Sequence, residues 1–224
     1  MALLLQIETS TKNCSVALSK DGQTIASIDE HDDGYAHGEK LHQFIQWMLE
    51  GTPYTLQDVE GICVSKGPGS YTGLRIGVSA AKGLAFSLGI PLMSINSLQV
   101  LANAFQGADC DYIVPMIDAR RMEVYTALFS SDAKVLTDTE AKIIDEDSYR
   151  DLSDKKLLLV GDGAVKTQEI LQALDAEFIE VFPSAKAMSK MANEKFNREE
   201  FEDLAYFEPF YLKDFVAGKK KEIN

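Results

Sequence analysis

The sequence predicts an α/β protein of two lobes, and three observations carry that reading. Short apolar runs of strand length alternate with longer stretches whose apolar residues recur at helical spacing, in a chain that is 46% hydrophobic. One strand-like run, Gly61-Ile62-Cys63-Val64-Ser65, opens directly into the glycine-rich turn Lys66-Gly67-Pro68-Gly69-Ser70-Tyr71-Thr72-Gly73, which a long helical pattern follows. The order of elements in the first half then returns in the second. At 224 residues the chain buries a real core, whether as one large domain or two small ones.

Leu3-Leu4-Leu5-Gln6-Ile7 reads as a buried strand ending at Glu8, and a polar turn leads to a returning strand, Cys14 to Leu18. Asp21-Gly22 is a hairpin signal, so Gln23 to Ile28 is the third strand. His37 to Glu50 is a helix with Leu41, Phe44, Ile45, Met48 and Leu49 on one face and Gly51 just past its end. Thr55-Leu56-Gln57-Asp58 resembles a capping box. After the glycine-rich turn, Leu74, Gly77, Val78, Ala81, Leu84, Ala85 and Leu88 make one helical stripe, with Thr72 as expected N-cap and Gly89 and Pro91 as the stop. Such a turn aims backbone N–H groups at any anion placed there. It is neither a Walker A loop nor Gly-x-Gly-x-x-Gly, and a tight turn that binds nothing reads equally well.

In the second half, Ile113 to Ile117 ends in Asp118 as the opening strand ends in Glu8, and Val124 to Phe129 returns. Ala127-Leu128 stand as far beyond Asp118 as Ala17-Leu18 beyond Glu8, which predicts a shared register. Ser131 to Val135 matches the Gly22 to Ile25 turn and strand. Leu157-Leu158-Leu159-Val160-Gly161-Asp162-Gly163 echoes strand plus glycine turn, before a helix from Val165 to Leu174. We therefore expect lobes at residues 1–106 and 107–224, joined near Gln106 to Asp111. Ser184 to Phe196 and Arg198 to Tyr206 read as helical, the last helix being a candidate to pack back on the first lobe.

The net charge of −13 makes the chain a poor nucleic-acid binder by itself, and its one basic run is Lys219-Lys220-Lys221 at the tail. Cys14, Cys63 and Cys110 are widely spaced and match no zinc or redox motif, which fits reduced thiols of a cytosolic protein. The early apolar run Ala2 to Leu5 is too short for a signal peptide or membrane span.

Strand, polar turn and strand with an acid at the first strand's end, repeated in a second lobe, resembles the actin, sugar-kinase and Hsp70 superfamily of ribonuclease H-like repeats. More sharply, Gly67-Pro68-Gly69-Ser70-Tyr71-Thr72-Gly73-Leu74-Arg75-Ile76-Gly77 with Ala81-Lys82-Gly83-Leu84-Ala85 resembles the signature of the TsaB (YeaZ) family. Ile7-Glu8-Thr9-Ser10-Thr11, Asp118-Ala119-Arg120-Arg121-Met122-Glu123-Val124-Tyr125 and Pro209-Phe210-Tyr211-Leu212 are similar to it too, in the right order over nearly the whole chain.

That resemblance implies a non-catalytic subunit of bacterial tRNA N6-threonylcarbamoyladenosine formation. It would pair with the catalytic paralogue TsaD, join the ATPase TsaE, meet tRNA only through the complex and form a homodimer when alone. No cofactor, metal or membrane is expected, and the location is cytoplasmic. It also implies pairing through first-lobe helices, for which the candidates are His37, Leu41, Phe44, Ile45, Met48, Arg75, Ile76, Val78, Ser79 and Lys82. In the catalytic paralogue a His-x-x-x-His pair binds metal; Ser97 and Leu101 hold those positions here, and leucine offers no lone pair.

Other readings of the same residues stay open at this stage. Leu41, Phe44, Ile45, Met48 and Leu49 are as readily core as interface, since burying five such side chains is worth roughly 7–15 kcal/mol in gross transfer terms. Glu8, Ser10 and Asp118 are weak cofactor candidates: with Glu123, the two acids resemble an active-site set for magnesium and phosphate. Acids that merely accept hydrogen bonds from their own turns fit as well. An ATP-binding phosphotransferase or ATPase is the alternative function. A peptidase using Ser10, Cys14 or Ser70 is weaker, because Gly-x-Ser-x-Gly is absent. His37 and His42, five apart, point to different sides of a helix, and His31 is expected in a loop.

Overall fold

The computed structural model describes residues 2–31 and 37–213; the Lys219-Lys220-Lys221 run lies outside them. The first sheet contains β1 (Leu3–Glu8), β2 (Asn13–Lys20), β3 (Gln23–His31), β4 (Gly61–Gly67) and β5 (Leu92–Asn96), ordered β3-β2-β1-β4-β5. β1, β2 and β3 run antiparallel, whereas β1, β4 and β5 are parallel. The second sheet contains β6 (Tyr112–Asp118), β7 (Glu123–Thr126), β8 (Phe129–Ser130), β9 (Glu140–Ile143), β10 (Leu157–Val160) and β11 (Ala176–Ile179). Its order is β11-β10-β6-β7-β9, with β8 also on β6. Hairpin, third strand and two parallel strands thus occur twice in the same order, as the repeat in the sequence predicts.

Strand alternation assigns each side chain its layer. Leu3, Leu5 and Ile7 of β1 join Leu41, Phe44 and Met48 of α1 (His37–Glu50) and Val78, Ala81 and Ala85 of α2 (Tyr71–Leu88). Leu4 faces the other way, with Cys63, Met93, Met188 and Ala192, the last from α5 (Ser189–Asn197). In β6, Ile113 and Ile117 pack with Leu98 and Leu101 of α3 (Ser97–Ala104), while Val114 and Met116 pack with Tyr149, Leu171 and Ala164 of α4 (Ala164–Thr167). Val100 of α3 belongs to the first-sheet layer, so this helix serves both sheets.

Several local expectations change. Ser70, not Thr72, caps α2, its hydroxyl accepting the Gly73 N–H at 3.3 Å, and Gly89 closes the helix at φ 66°. His31 ends β3 and is not in a loop. Glu8 pairs with Ser15 but Asp118 with Val124, so the second turn is shorter and Ala127 does not share the register of Ala17. Pairing also lapses between β7 and β8 opposite Pro115, which has no N–H. Val135 makes only an isolated bridge to Phe129, and β9 is the third strand of that sheet. The helix expected to Leu174 stops at Thr167, whose hydroxyl turns back to the Ala164 carbonyl at 2.7 Å. Residues 198–206 are not helical: Glu199 has φ 55°, and the Glu202 N–H bonds to Leu92 O at the edge of β5 instead.

One close approach locks the first lobe together. The β1–β2 turn sits directly against α2: Thr9 Oγ1 donates to Gly73 O at 2.8 Å, and the Ser70 N–H donates to Ser10 O at 2.6 Å. A Cβ on Gly73 would lie 2.1 Å from Thr9 O, and one on Gly77 2.2 Å from Thr9 Oγ1. These two obstacles differ in kind, backbone in one case and side chain in the other. Gly77→Ala should cost about 1–3 kcal/mol in urea unfolding, and Thr9→Ala in the same chain should restore part of it. Gly73→Ala should cost at least as much, with no rescue by Thr9→Ala. Equal rescue of both would refute this packing.

Candidate functional site

The two acid-bearing turns differ in what holds them. Glu8 ends β1 completely buried, and its Oε1 accepts the Ser10 N–H at 2.6 Å. Burial pushes its carboxyl above the usual value, while bonds from Ser10, Ser65 and Thr9 pull it back. Ser10 is also fully buried. The turn's own amides therefore use Glu8, one of the two roles read from sequence.

Asp118 is exposed and ion-paired to Lys166. Asp118 Oδ1 accepts the Arg120 N–H at 2.8 Å, and Asp162 Oδ1 accepts the Asp118 N–H at 3.0 Å. Lys166 also donates to Arg121 O at 2.8 Å and Glu123 O at 2.7 Å. Burial lifts Asp162 to about 6, with the bond from Asp118 acting in the opposite direction. Asp162 and Lys166 were not singled out as site residues in sequence; the echo of strand and glycine turn at Gly161 to Gly163 was their only signal.

None of the candidate nucleophiles is set up to attack. Ser70 is the cap of α2, Ser10 is buried, and burial pushes the Cys14 thiol up to about 11. Asn96 caps α3 by accepting the Leu98 N–H at 2.9 Å, and Ser97 and Leu101 are buried on that helix.

The ten residues expected at a partner surface divide sharply. His37, Leu41, Phe44, Ile45, Met48 and Val78 are at most 5% exposed, so the sequence expectation is corrected for them: they build the core beneath the helices. His37 Nε2 meets Thr11 O at 2.8 Å, and burial lowers its pKa. Ile76 is half-buried near Gly38. Arg75 and Ser79 are exposed and Lys82 is half-buried.

Arg75 and Lys82 are nonetheless committed to the chain's own returning segment. Lys82 Nζ donates to Phe207 O at 2.8 Å and Ala205 O at 3.3 Å. Arg75 lies 4.3 Å over the Tyr71 ring and bonds to the Tyr211 side chain, and Tyr211 stacks 4.9 Å from Tyr71. The Phe210 N–H donates to Lys66 O at 2.7 Å, and Lys213 pairs with Glu123. Sequence reading noticed Pro209 to Leu212 but not that it straps α2. On the other flank, His42, Ile45, Gln46 and Leu49 of α1, Tyr54 and Leu56 of the following connection and Leu84 of α2 line an open, mostly apolar groove of about 550 Å³.

Comparison with known proteins fits this geometry. Residues 34–221 match the family model described as TsaD, tRNA N6-adenosine threonylcarbamoyltransferase. The tRNA threonylcarbamoyladenosine biosynthesis protein TsaB of Escherichia coli is 30% identical, covering 97% of this chain and 97% of its own length. TsaB of Haemophilus influenzae is 30% identical over 97% of this chain and 96% of its own. The crystal structure of YeaZ from Pseudomonas aeruginosa superposes with a TM-score of 0.81 at 24% identity, covering 95% of this chain and all of that one. The chain belongs to the TsaD family and, within it, to the TsaB (YeaZ) group.

Proposed function

We propose that this chain is an accessory subunit in tRNA N6-threonylcarbamoyladenosine formation, working by pairing with a TsaD-like catalytic paralogue and without chemistry of its own. The complex would recruit a TsaE-like ATPase, act in the cytoplasm and bring tRNA to the catalytic subunit, while the isolated chain forms a homodimer. Residues 1–106 would be the partner-facing lobe and 107–224 the second. Membership of the TsaB group supports the pathway. The observation that carries the accessory role is the fate of the glycine-rich turn. Its close approach is taken up by Thr9 and Ser10, leaving the acid beside it buried.

The pairing surface we propose is the outward edge of α1 and α2. There Gly38, His42, Gln46, Ser79 and Gly83 are exposed beside the apolar groove. Small and uncharged residues permit close helix–helix approach. A phosphotransferase reading would need Glu8 and Asp118 open to magnesium and phosphate, whereas one is buried and the other is paired with Lys166.

Mixing the chain with its catalytic paralogue should replace the homodimer by a heterodimer on size exclusion. Ser79→Arg should weaken that pairing tenfold or more, about 1.4 kcal/mol, and leave the thermal midpoint unchanged. Leu41→Asp should instead unfold the chain, because it buries a charge in the core. Two separate species, or Ser79→Arg pairing normally, would count against this surface. Asp118→Ala should leave tRNA modification by the assembled complex within about twofold, measured by mass spectrometry of digested tRNA.

A pH test addresses the second turn. Asp162 titrates near 6 folded against 3.8 in its ordinary state. Its contribution to stability is therefore present below 3.8 and lost as pH rises through 6. After solvent screening at its partly open position the loss should be about 2 kcal/mol. Asp162→Asn keeps the acceptor oxygen and should flatten the urea-measured stability profile between pH 4 and 6.

A further inference from the structure

The turn between β6 and β7 carries charge that the fold itself does not use. The chain has five arginines at a net charge of −13. Three are engaged: Arg75 with Tyr71 and Tyr211, Arg150 with Asp147, and Arg198 with Glu200. The other two, Arg120 and Arg121, are adjacent and exposed, and neither guanidinium makes a hydrogen bond or ion pair among the described residues. Both stand at positive φ, 69° and 51°, where Asn or Gly would serve a short turn at less cost. The acids of this turn are already matched. Lys166 pairs with Asp118 and Lys213 with Glu123, while Asp162 accepts the Asp118 N–H. Tyr125 is close by: burial raises its phenol, and Lys213 and Arg120 are near enough to pull it back. From Lys213 the returning segment leads to Tyr211, which stacks 4.9 Å from Tyr71, and Arg75 lies 4.3 Å over the Tyr71 ring. Cations and tyrosines thus alternate from this turn to the first turn of α2.

Shape and chemistry narrow the ligand. An exposed turn offers a surface and not an enclosure, which suits an extended polyanion better than a small anion. Guanidinium groups match phosphate with two parallel bonds, and cations interleaved with aromatic faces are the pattern of nucleic-acid surfaces more than of sites for acidic peptides. We propose that Arg120 and Arg121 bind the phosphate backbone of the tRNA that the assembled complex modifies. This rests on the accessory role proposed above and adds a direct RNA contact to it. Phosphate contacts fix position and carry no sequence information, so the turn orients the tRNA without reading its bases. The charge of the whole chain still opposes RNA, and the contact therefore acts only within the complex.

The test uses the complex of the full chain with its catalytic paralogue, formed and checked by size exclusion, and titrates it into labelled tRNA at about 50–200 mM potassium chloride. Arg120→Asn with Arg121→Asn, a residue that tolerates both φ values, should leave pairing and the thermal midpoint unchanged. It should weaken tRNA binding about tenfold in the middle of that salt range and make the log–log salt slope shallower by about 1.5. Arg120→Lys with Arg121→Lys should recover most of the slope. Unchanged affinity and slope in the asparagine pair would overturn the proposal. So would loss of the ATPase partner with tRNA binding intact, which would assign the turn to an acidic protein surface. Failure of the wild-type chain to pair appears on size exclusion before RNA is added, and would instead overturn the accessory role itself. Should the asparagine pair fail to fold, Arg121→Asn alone decides: its slope should fall by about 0.7, and an unchanged slope would refute the contact.

Discussion

The first lobe depends on one van der Waals constraint, the contact of the Thr9–Ser10 turn with the start of α2. Because Thr9 O and Thr9 Oγ1 stand where side chains of residues 73 and 77 would project, α2 can approach only with glycine at both positions. The same turn reaches the other helix through the Thr11 carbonyl and His37 Nε2, 2.8 Å apart. Ser70 both caps α2 and donates its N–H to Ser10 O. A single four-residue connection between β1 and β2, Thr9 to Lys12, therefore fixes both helices of that face. It also forces Glu8 inward, because the turn closes over it. The glycines that read from sequence as an anion cradle are explained by a protein occupant.

The repeated topology makes the contrast between the lobes informative. In the second lobe the glycine turn again meets the first strand closely, a Cβ on Gly161 falling 2.1 Å from Met116 O. The hairpin turn there is held differently, by Asp162 and Lys166 clamping Asp118 from outside. The first turn is a dry lock and the second is a charged, partly solvated one. Electrostatic contacts of the second kind weaken with salt and shift with pH, while steric ones do not. The same strand order thus occurs once with its turn held by packing and once with its turn held by groups that respond to the solution.

Much of this was legible in the sequence because it rests on short-range rules. The α1 boundaries follow from helical periodicity and Gly51, the Asp21-Gly22 turn from its dipeptide, with both residues at positive φ, and the Thr55–Asp58 box from its spacing. What failed depended on long-range pairing. Pro115 of β6 opens a gap between its pairings with β7 and β8, which shows only once those strands lie beside it, and Glu202 gives its N–H to β5 across the sequence. Strands β5, β9 and β11 are four or five residues long and were not anticipated; β9 and β11 are only partly buried, so their alternation is faint. The α1 stripe illustrates the deeper limit. Periodicity identifies an apolar face but not what covers it, and here the cover is the chain's own sheet.

The returning C-terminal segment covers one flank of α2 and leaves the other open among the described residues. Lys82 is spent on two carbonyls of residues 205 and 207, and Arg75 on the Tyr71 and Tyr211 rings. These cations hold down a strand-free segment, Lys82 by its carbonyls and Arg75 by the Tyr211 side chain with Glu208 nearby, which is how an exposed loop satisfies its polar groups. The segment continues past Lys66 to the Lys213–Glu123 pair, so it ties the first lobe's glycine turn to the second lobe's hairpin. One flank of α2 is consequently an intramolecular seam. The opposite flank, shared with α1, carries small and uncharged residues and the apolar groove, and nothing in the described chain lies across it to the same extent. That one flank of α2 is covered and the other is not follows, among the described residues, from where residues 205–213 run rather than from any property of the helix by itself.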